Sequence, residues 1–139
     1  MVIDHIGIVV KSIDTGIETW IRFFGYKQTT QVVTNERQRV KVVFLEKNGS
    51  LPVKLLEPTN PSSLIYPFSQ KGGGLHHLCF RGESLSEDLR ILVEKGARVL
   101  VQPEPGEAFE NEKIAFVYVG QGLNIEMIDT DKRACTIRD

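Results

Sequence analysis

Cysteine is almost absent from this 139-residue chain: only Cys79 and Cys135 occur. One lies in an apolar segment and the other in a polar tail, which excludes a disulfide framework as the organising principle. Surplus charge is missing too. Seventeen Lys and Arg oppose eighteen Asp and Glu, for a net charge of -1, so the cationic surface that nucleic acids or anionic membranes require is not there. No apolar run approaches the roughly 20 residues that span a bilayer. The opening Met-Val-Ile-Asp-His lacks the basic and apolar regions of a secretory signal, and a reducing cytoplasmic setting is expected. What is present, 41% hydrophobic and 25% charged residues, is the balance of one globular domain with a single core.

The first strand signal is Asp4-His5-Ile6-Gly7-Ile8-Val9-Val10, short and rich in β-branched residues. Ser12 can cap a helix reaching about Phe24, with Ile13, Ile17, Trp20, Ile21 and Phe24 on one face and Gly25 as its stop. Strands are predicted over Lys27 to Val33, Val40 to Leu45 and Val53 to Leu56, the last two joined at Asn48-Gly49. Pro58 to Gly74 reads as a connector with a short helix around Ser63 to Gln70, ending in a glycine joint. The same order then recurs: a strand at Leu75 to Phe80, a helix opened by Ser84 or Ser86 and closed by Gly96, and strands at Arg98 to Val101, Ile114 to Val119 and Asn124 to Ile128.

Spacing makes the repetition concrete. His5 and His77 are 72 positions apart, Gly25 and Gly96 are 71, and Lys54 and Glu126 are again 72. Three matches on equivalent features indicate an internal duplication. The expected fold is therefore α+β: one domain over 1–139, built of two βαβββ modules at about 2–59 and 75–130. Their strands form a curved, half-barrel-like mixed sheet with the helices outside. The polar tail over 130–139 is expected to be mobile.

Side chains alternate across a strand. The apolar set Ile6, Ile8 and Val10 should face the helices, which leaves His5, Gly7 and Val9 on the concave face. The same parity puts His77, Cys79 and Glu126 inside and sends His76, Leu78 and Phe80 outward. A lone strand histidine is usually a hydrogen-bonded structural residue, and Cys79 is read as a small core residue. Two histidines and an acid at matched positions of a duplicated unit carry more: His5, His77 and Glu126 can converge on one divalent metal. Two imidazoles and a carboxylate suit Zn²⁺, Co²⁺, Ni²⁺, Mn²⁺ or Fe²⁺, with positions left for substrate oxygens.

At these residues the chain resembles the vicinal-oxygen-chelate superfamily of glyoxalases, bleomycin-resistance proteins and dioxygenases, and within it most of all methylmalonyl-CoA epimerase. The stretches Asp4-His5-Ile6-Gly7-Ile8, Lys54-Leu55-Leu56-Glu57-Pro58, Gly72-Gly73-Gly74-Leu75-His76-His77 and Ile125-Glu126-Met127 carry the likeness. The resemblance implies metal ligands at His5, His77 and Glu126, a homodimer, and a thioester or 2-oxo compound as the small-molecule substrate. It implies a metal-dependent isomerase or lyase of glyoxalase I or epimerase type, in which a stabilised enolate forms as a proton leaves the carbon beside a carbonyl. Glu126 and Lys54 are the candidate bases. A non-catalytic, bleomycin-resistance-like binding protein and an extradiol-type dioxygenase are the other readings. The resemblance also implies a fourth ligand, Glu or Gln, where this chain has Lys54. A protonated lysine beside a dication is repelled, so Lys54 must swing away, give up its proton, or take over the metal's charge. No acid stands in Val40 to Phe44, where one epimerase pattern places a second base.

Overall fold

The computed structural model describes residues 1–138. Its elements run β1 (Val2–Val9), α1 (Ile13–Phe24), β2 (Lys27–Gln28), β3 (Val33–Asn35), β4 (Val40–Glu46), β5 (Val53–Pro58), α2 (Tyr66–Gln70), β6 (Gly74–Arg81), α3 (Leu85–Glu94), β7 (Arg98–Pro105), a 3₁₀ turn (Glu107–Phe109), β8 (Lys113–Tyr118) and β9 (Asn124–Ile128). Among the described residues the strands form one mixed nine-stranded sheet, not closed into a barrel, in the order β2-β4-β5-β1-β6-β9-β8-β7, with β3 also on β4. This is the expected α+β class. The single strand predicted from Lys27 to Val33 is instead two short ones, both antiparallel to β4. Thr30 between them turns its hydroxyl to the Phe44 backbone N–H at 3.0 Å, which interrupts the ladder.

The sheet order is symmetric about its centre. β1 and β6 pair antiparallel, and each is flanked by the last strand of its own module in parallel, β5 on β1 and β9 on β6. The duplication also governs the helix starts. Ser12 and Ser84 cap α1 and α3 through their side chains, which decides between Ser84 and Ser86. The first helical N–H of each is met by an acid at the end of the module's last strand: Ile13 N–H by Glu57 at 2.7 Å and Leu85 N–H by Asp129 at 2.8 Å. Both helix ends thus gain an anionic partner for their exposed N–H groups and dipole.

Parity sorts the core as expected. Ile6, Ile8 and Val10 pack with Ile13, Val43, Leu45 and Leu55 under α1, while Leu78 and Phe80 pack with Leu85, Leu89, Ile125 and Met127 under α3. The concave face holds Val9, Phe44, Leu56, Cys79, Phe109, Phe116 and Ile128. The glycine joint is specific, not loose: Gly73 has φ 70°, and a Cβ there would run into the Val9 carbonyl.

The tail departs from expectation, for it is tied down. Ala134 donates to the Ala108 carbonyl, Gln31 to that of Cys135 and Ile137 to that of Thr29, each at 2.9 Å. Arg133 lies over the rings of Phe44 and Phe109, 4.3 and 5.2 Å from their centroids. A backbone donor and acceptor left free at the β2–β3 break, Gln31 N–H and Thr29 C=O, together with an arginine for two aromatic faces, overcome the tail's polarity. Truncation after Asp131 is expected to cost on the order of 3 kcal/mol, at about 1 kcal/mol per lost backbone bond plus the cation–π contact. Urea denaturation measures it, and an unchanged midpoint would show the tail to be dispensable.

Candidate functional site

Four side chains meet at the centre of the concave face, each placed by the register of the sheet. Gly7 lies opposite both Lys54 and His77, and Cys79 lies opposite both His5 and Glu126. Gly7 is required there, because a Cβ would collide with the His77 imidazole. His5, His77 and Glu126 are fully buried, and Lys54 is 4% exposed. Glu126 is the hub. Its Oε1 lies 3.0 Å from His5 Nε2 and 3.2 Å from His77 Nε2, while Lys54 Nζ donates to Oε2 at 3.2 Å and reaches Oε1 at 3.3 Å. The three residues expected to converge therefore do so, with ligand atoms all within 4.8 Å of one another. The His77 contact lies off the hydrogen-bond direction and leaves Nε2 buried without a partner.

His76 is the residue that alternation misassigned, and Asp4 is one that it left unplaced. The β1–β6 register slips at two places, between Ile3 and His5 and between Gly7 and Ile8. The extra residues at those bulges are Asp4 on β1 and His76 on β6, 72 positions apart. A bulge re-aims a side chain that strict alternation would send outward. Asp4 Oδ2 lies 2.7 Å from His5 Nδ1, and His76 Nδ1 lies 2.8 Å from His77 Nδ1. Each central imidazole is thus oriented by the residue before it. The placement of His76 with the outward set is corrected by this slip: its ring packs on His77 and lines the concave cavity. Asp4 is held in turn by Arg133, and Arg81 Nε lies 3.5 Å away.

The electrostatics follow from this packing. Burial pushes the Glu126 carboxyl up, but the Lys54 ammonium and then the His5 hydrogen bond outweigh it and hold the group well below the usual range. Burial pushes the Asp4 carboxyl up as well, and the hydrogen bond from His5 and the charge of Arg133 overcome it and leave it lowered. Burial drives His77 down to about 3 against the pull of Glu126. His76 is lowered by burial and by Lys54. Burial, then Glu126, raises the Cys79 thiol, which is an inert core group.

An apolar cavity of about 360 Å³ opens beside this cluster, lined by Val40, Leu56, Ile65, His76, Leu100 and Phe116 among others. Phe116 stacks edge-on against His77 at 5.4 Å, and Leu56 follows Lys54 by two residues on β5. On the other side Phe44, Phe109 and Arg133 seal the centre.

The donor set gives a divided answer about a metal. Three donors suit a divalent ion, and the unpartnered Nε2 of His77 is the kind of atom an ion would satisfy. Lys54, however, has not swung away: its ammonium already matches the one carboxylate in the set. A dication added at about 4 Å would meet repulsion of about 8 kcal/mol from it, at the effective dielectric that suits protein sites. The nearest other carboxylate, Asp4, is already paired with Arg133. The four residues together do not fit a dication.

The sequence profile of the Glyoxalase/Bleomycin resistance protein/Dioxygenase superfamily matches residues 4–116. The Bacillus subtilis protein YqjC, itself uncharacterized, is 35% identical over 116 residues, covering 83% of this chain and 81% of its own. Methylmalonyl-CoA epimerase from Mycobacterium tuberculosis superposes with a TM-score of 0.81 at 29% identity, over 91% of this chain and 86% of that one. A methylmalonyl-CoA epimerase in complex with methylmalonyl-CoA and NH4+ gives 0.81 at 27% identity, over 96% of each chain.

The shifts of His77 and Glu126 act on stability in one direction. The folded chain protonates His77 only near pH 3, whereas an unfolded chain does so near ~6.5. Stability is therefore full above that range and falls with acidification through it. Glu126, held low, adds to the loss further down. Unfolding free energy is expected to drop below about pH 6.5 by up to about 1.4 kcal/mol per pH unit for the one group. His77→Gln should flatten that slope between about pH 6.5 and 4.5. Urea midpoints at stepped pH decide it, and an unaltered slope in the variant would place its source elsewhere.

Proposed function

The chain belongs to the glyoxalase/bleomycin resistance protein/dioxygenase superfamily, and from that premise we propose that it is an isomerase or lyase of the epimerase or glyoxalase type. It moves a proton beside the carbonyl of a thioester or 2-oxo substrate. The observation that carries this reading is the contiguity of the apolar cavity with a buried cluster holding both an electrophile and proton acceptors. Relatives named as methylmalonyl-CoA epimerase, one of them in complex with methylmalonyl-CoA, support a thioester substrate. A cytoplasmic setting and the homodimer implied by the resemblance belong to the same reading. No helix among the described residues is long and apolar enough to cross a membrane.

Superfamily members commonly bind divalent metals, and here His5, His77 and Glu126 are the residues that would be ligands. No step below depends on one. The acyl group enters from the cavity past Phe116 and His76, and its carbonyl oxygen faces the Lys54 ammonium. As the C–H bond breaks, its electron pair passes to the oxygen, where the positive charge stabilises the enolate. The proton is taken up between His77 Nε2 and Glu126 Oε1, 3.2 Å apart. Its return to the same carbon after the enolate has turned its other face to this pair gives epimerisation, and its return to the adjacent carbon gives isomerisation. Asp4 and His76 hold the two imidazoles in place, and the packed rings exclude water.

The uncharged cavity lining favours a second reading, a binding protein that holds a small molecule without turning it over. Proton NMR in D₂O separates the two. Loss of the α-proton signal from methylmalonyl-CoA or another acyl-CoA is expected with the wild type. Glu126→Gln should slow it at least ~100-fold, within the range of a general acid–base contribution. Saturable binding with no exchange across acyl-CoA and 2-oxo substrates would leave the binding protein as the function.

A further inference from the structure

We infer that the Lys54 ammonium stands in the place of the divalent ion, so that the centre carries its cation covalently and works without a bound metal. This deepens the function proposed above by naming the electrophile. The position of Lys54 is the first ground. Its Nζ lies 3.2 and 3.3 Å from the two oxygens of Glu126, in the cluster where His5, His77 and Glu126 present their donor atoms together. The side chain is 5% exposed, so water does not compensate its charge. Glu126 does, and the face of Phe109, 5.2 Å from Nζ, adds a second favourable surface.

Charge is the second ground. The centre holds one ammonium, one carboxylate and two imidazoles, and the Asp4 carboxylate is matched by Arg133. Lys54 and Glu126 neutralise each other. A divalent ion would leave two uncompensated positive charges in a closed, aromatic-lined site.

The third ground is the duplication. Lys54 pairs with Gly7 as Glu126 pairs with Cys79, and 72 positions separate Lys54 from Glu126 as they do Gly7 from Cys79. Lys54 thus occupies the Glu126 position of the first module. Ion pairing across the internal two-fold replaces ligation across it.

The test reads metal content and does not depend on turnover, so inactivity toward thioesters and the presence of metal are separate outcomes. Full-length wild type is incubated with excess Zn²⁺, Co²⁺ or Ni²⁺, dialysed without chelator, and analysed for metal per chain. His77→Ala, and Lys54→Gln and Lys54→Glu each with and without His77→Ala, are treated alike. The expected result is below ~0.1 ion per chain in the wild type. About one is expected in whichever single variant folds, lost again with His77→Ala, with cobalt visible absorption marking the ligated site. About one ion per wild-type chain, lost in His77→Ala, would overturn the inference without any variant of Lys54. It would also be overturned if folded Lys54→Gln and Lys54→Glu both stayed empty, since Lys54 would then not be what keeps the ion out.

Discussion

The antiparallel pairing of β1 with β6 is the constraint on which the rest hangs. Each strand carries a histidine two residues from a small or slim neighbour: Gly7 follows His5, and Cys79 follows His77. The register sets Gly7 against His77 and His5 against Cys79. A bulky residue at either neighbour would keep the imidazoles apart. Because β5 and β9 lie parallel to these strands at equivalent registers, the seam also fixes where Lys54 and Glu126 arrive. The outer strands and the helices supply the burial that makes a small charge cluster strong.

Burial and pairing interact closely here. A carboxylate with no access to water is tolerated only when polar partners surround it, and Glu126 has the Lys54 ammonium as donor with both imidazoles alongside. The same dryness holds His77 well below the usual imidazole range and leaves its Nε2 without a hydrogen-bond partner. The sealing rings and the tail arginine are therefore as much a part of the cluster's electrostatics as the four central side chains.

Much of this was legible in the sequence. Period-two alternation assigned Ile6, Ile8 and Val10 to the helices and His5, His77 and Glu126 to the concave face, because the pairing is regular from His5 to Gly7 against His77 to Cys79 and along β9. The 72-residue offset disclosed the duplication, and with it the symmetric sheet. Alternation failed at His76 and was silent on Asp4, where an extra residue in each strand turns the side chain. A slip of one residue leaves no mark in a hydrophobic pattern, although the offset that links Asp4 to His76 was present to be seen. The tail misled because polarity predicts solvation, while its backbone hydrogen bonds and the reach of Arg133 depend on a strand break far away in the chain. The fate of Lys54 required coordinates, since swinging away and pairing with Glu126 are equally compatible with its position in β5.

The internal two-fold has a consequence for how such a centre can arise. Two separate copies of one module, related by symmetry, must place the same side chain at both equivalent positions, so an ammonium would face an ammonium or a carboxylate a carboxylate. Neither arrangement is neutral, and both are repulsive when buried. Joining the copies in one chain removes that identity and lets position 54 become basic while position 126 stays acidic. The covalent link between the modules thus does more than hold them together: it permits the asymmetry of charge that a symmetric pair of identical halves is denied.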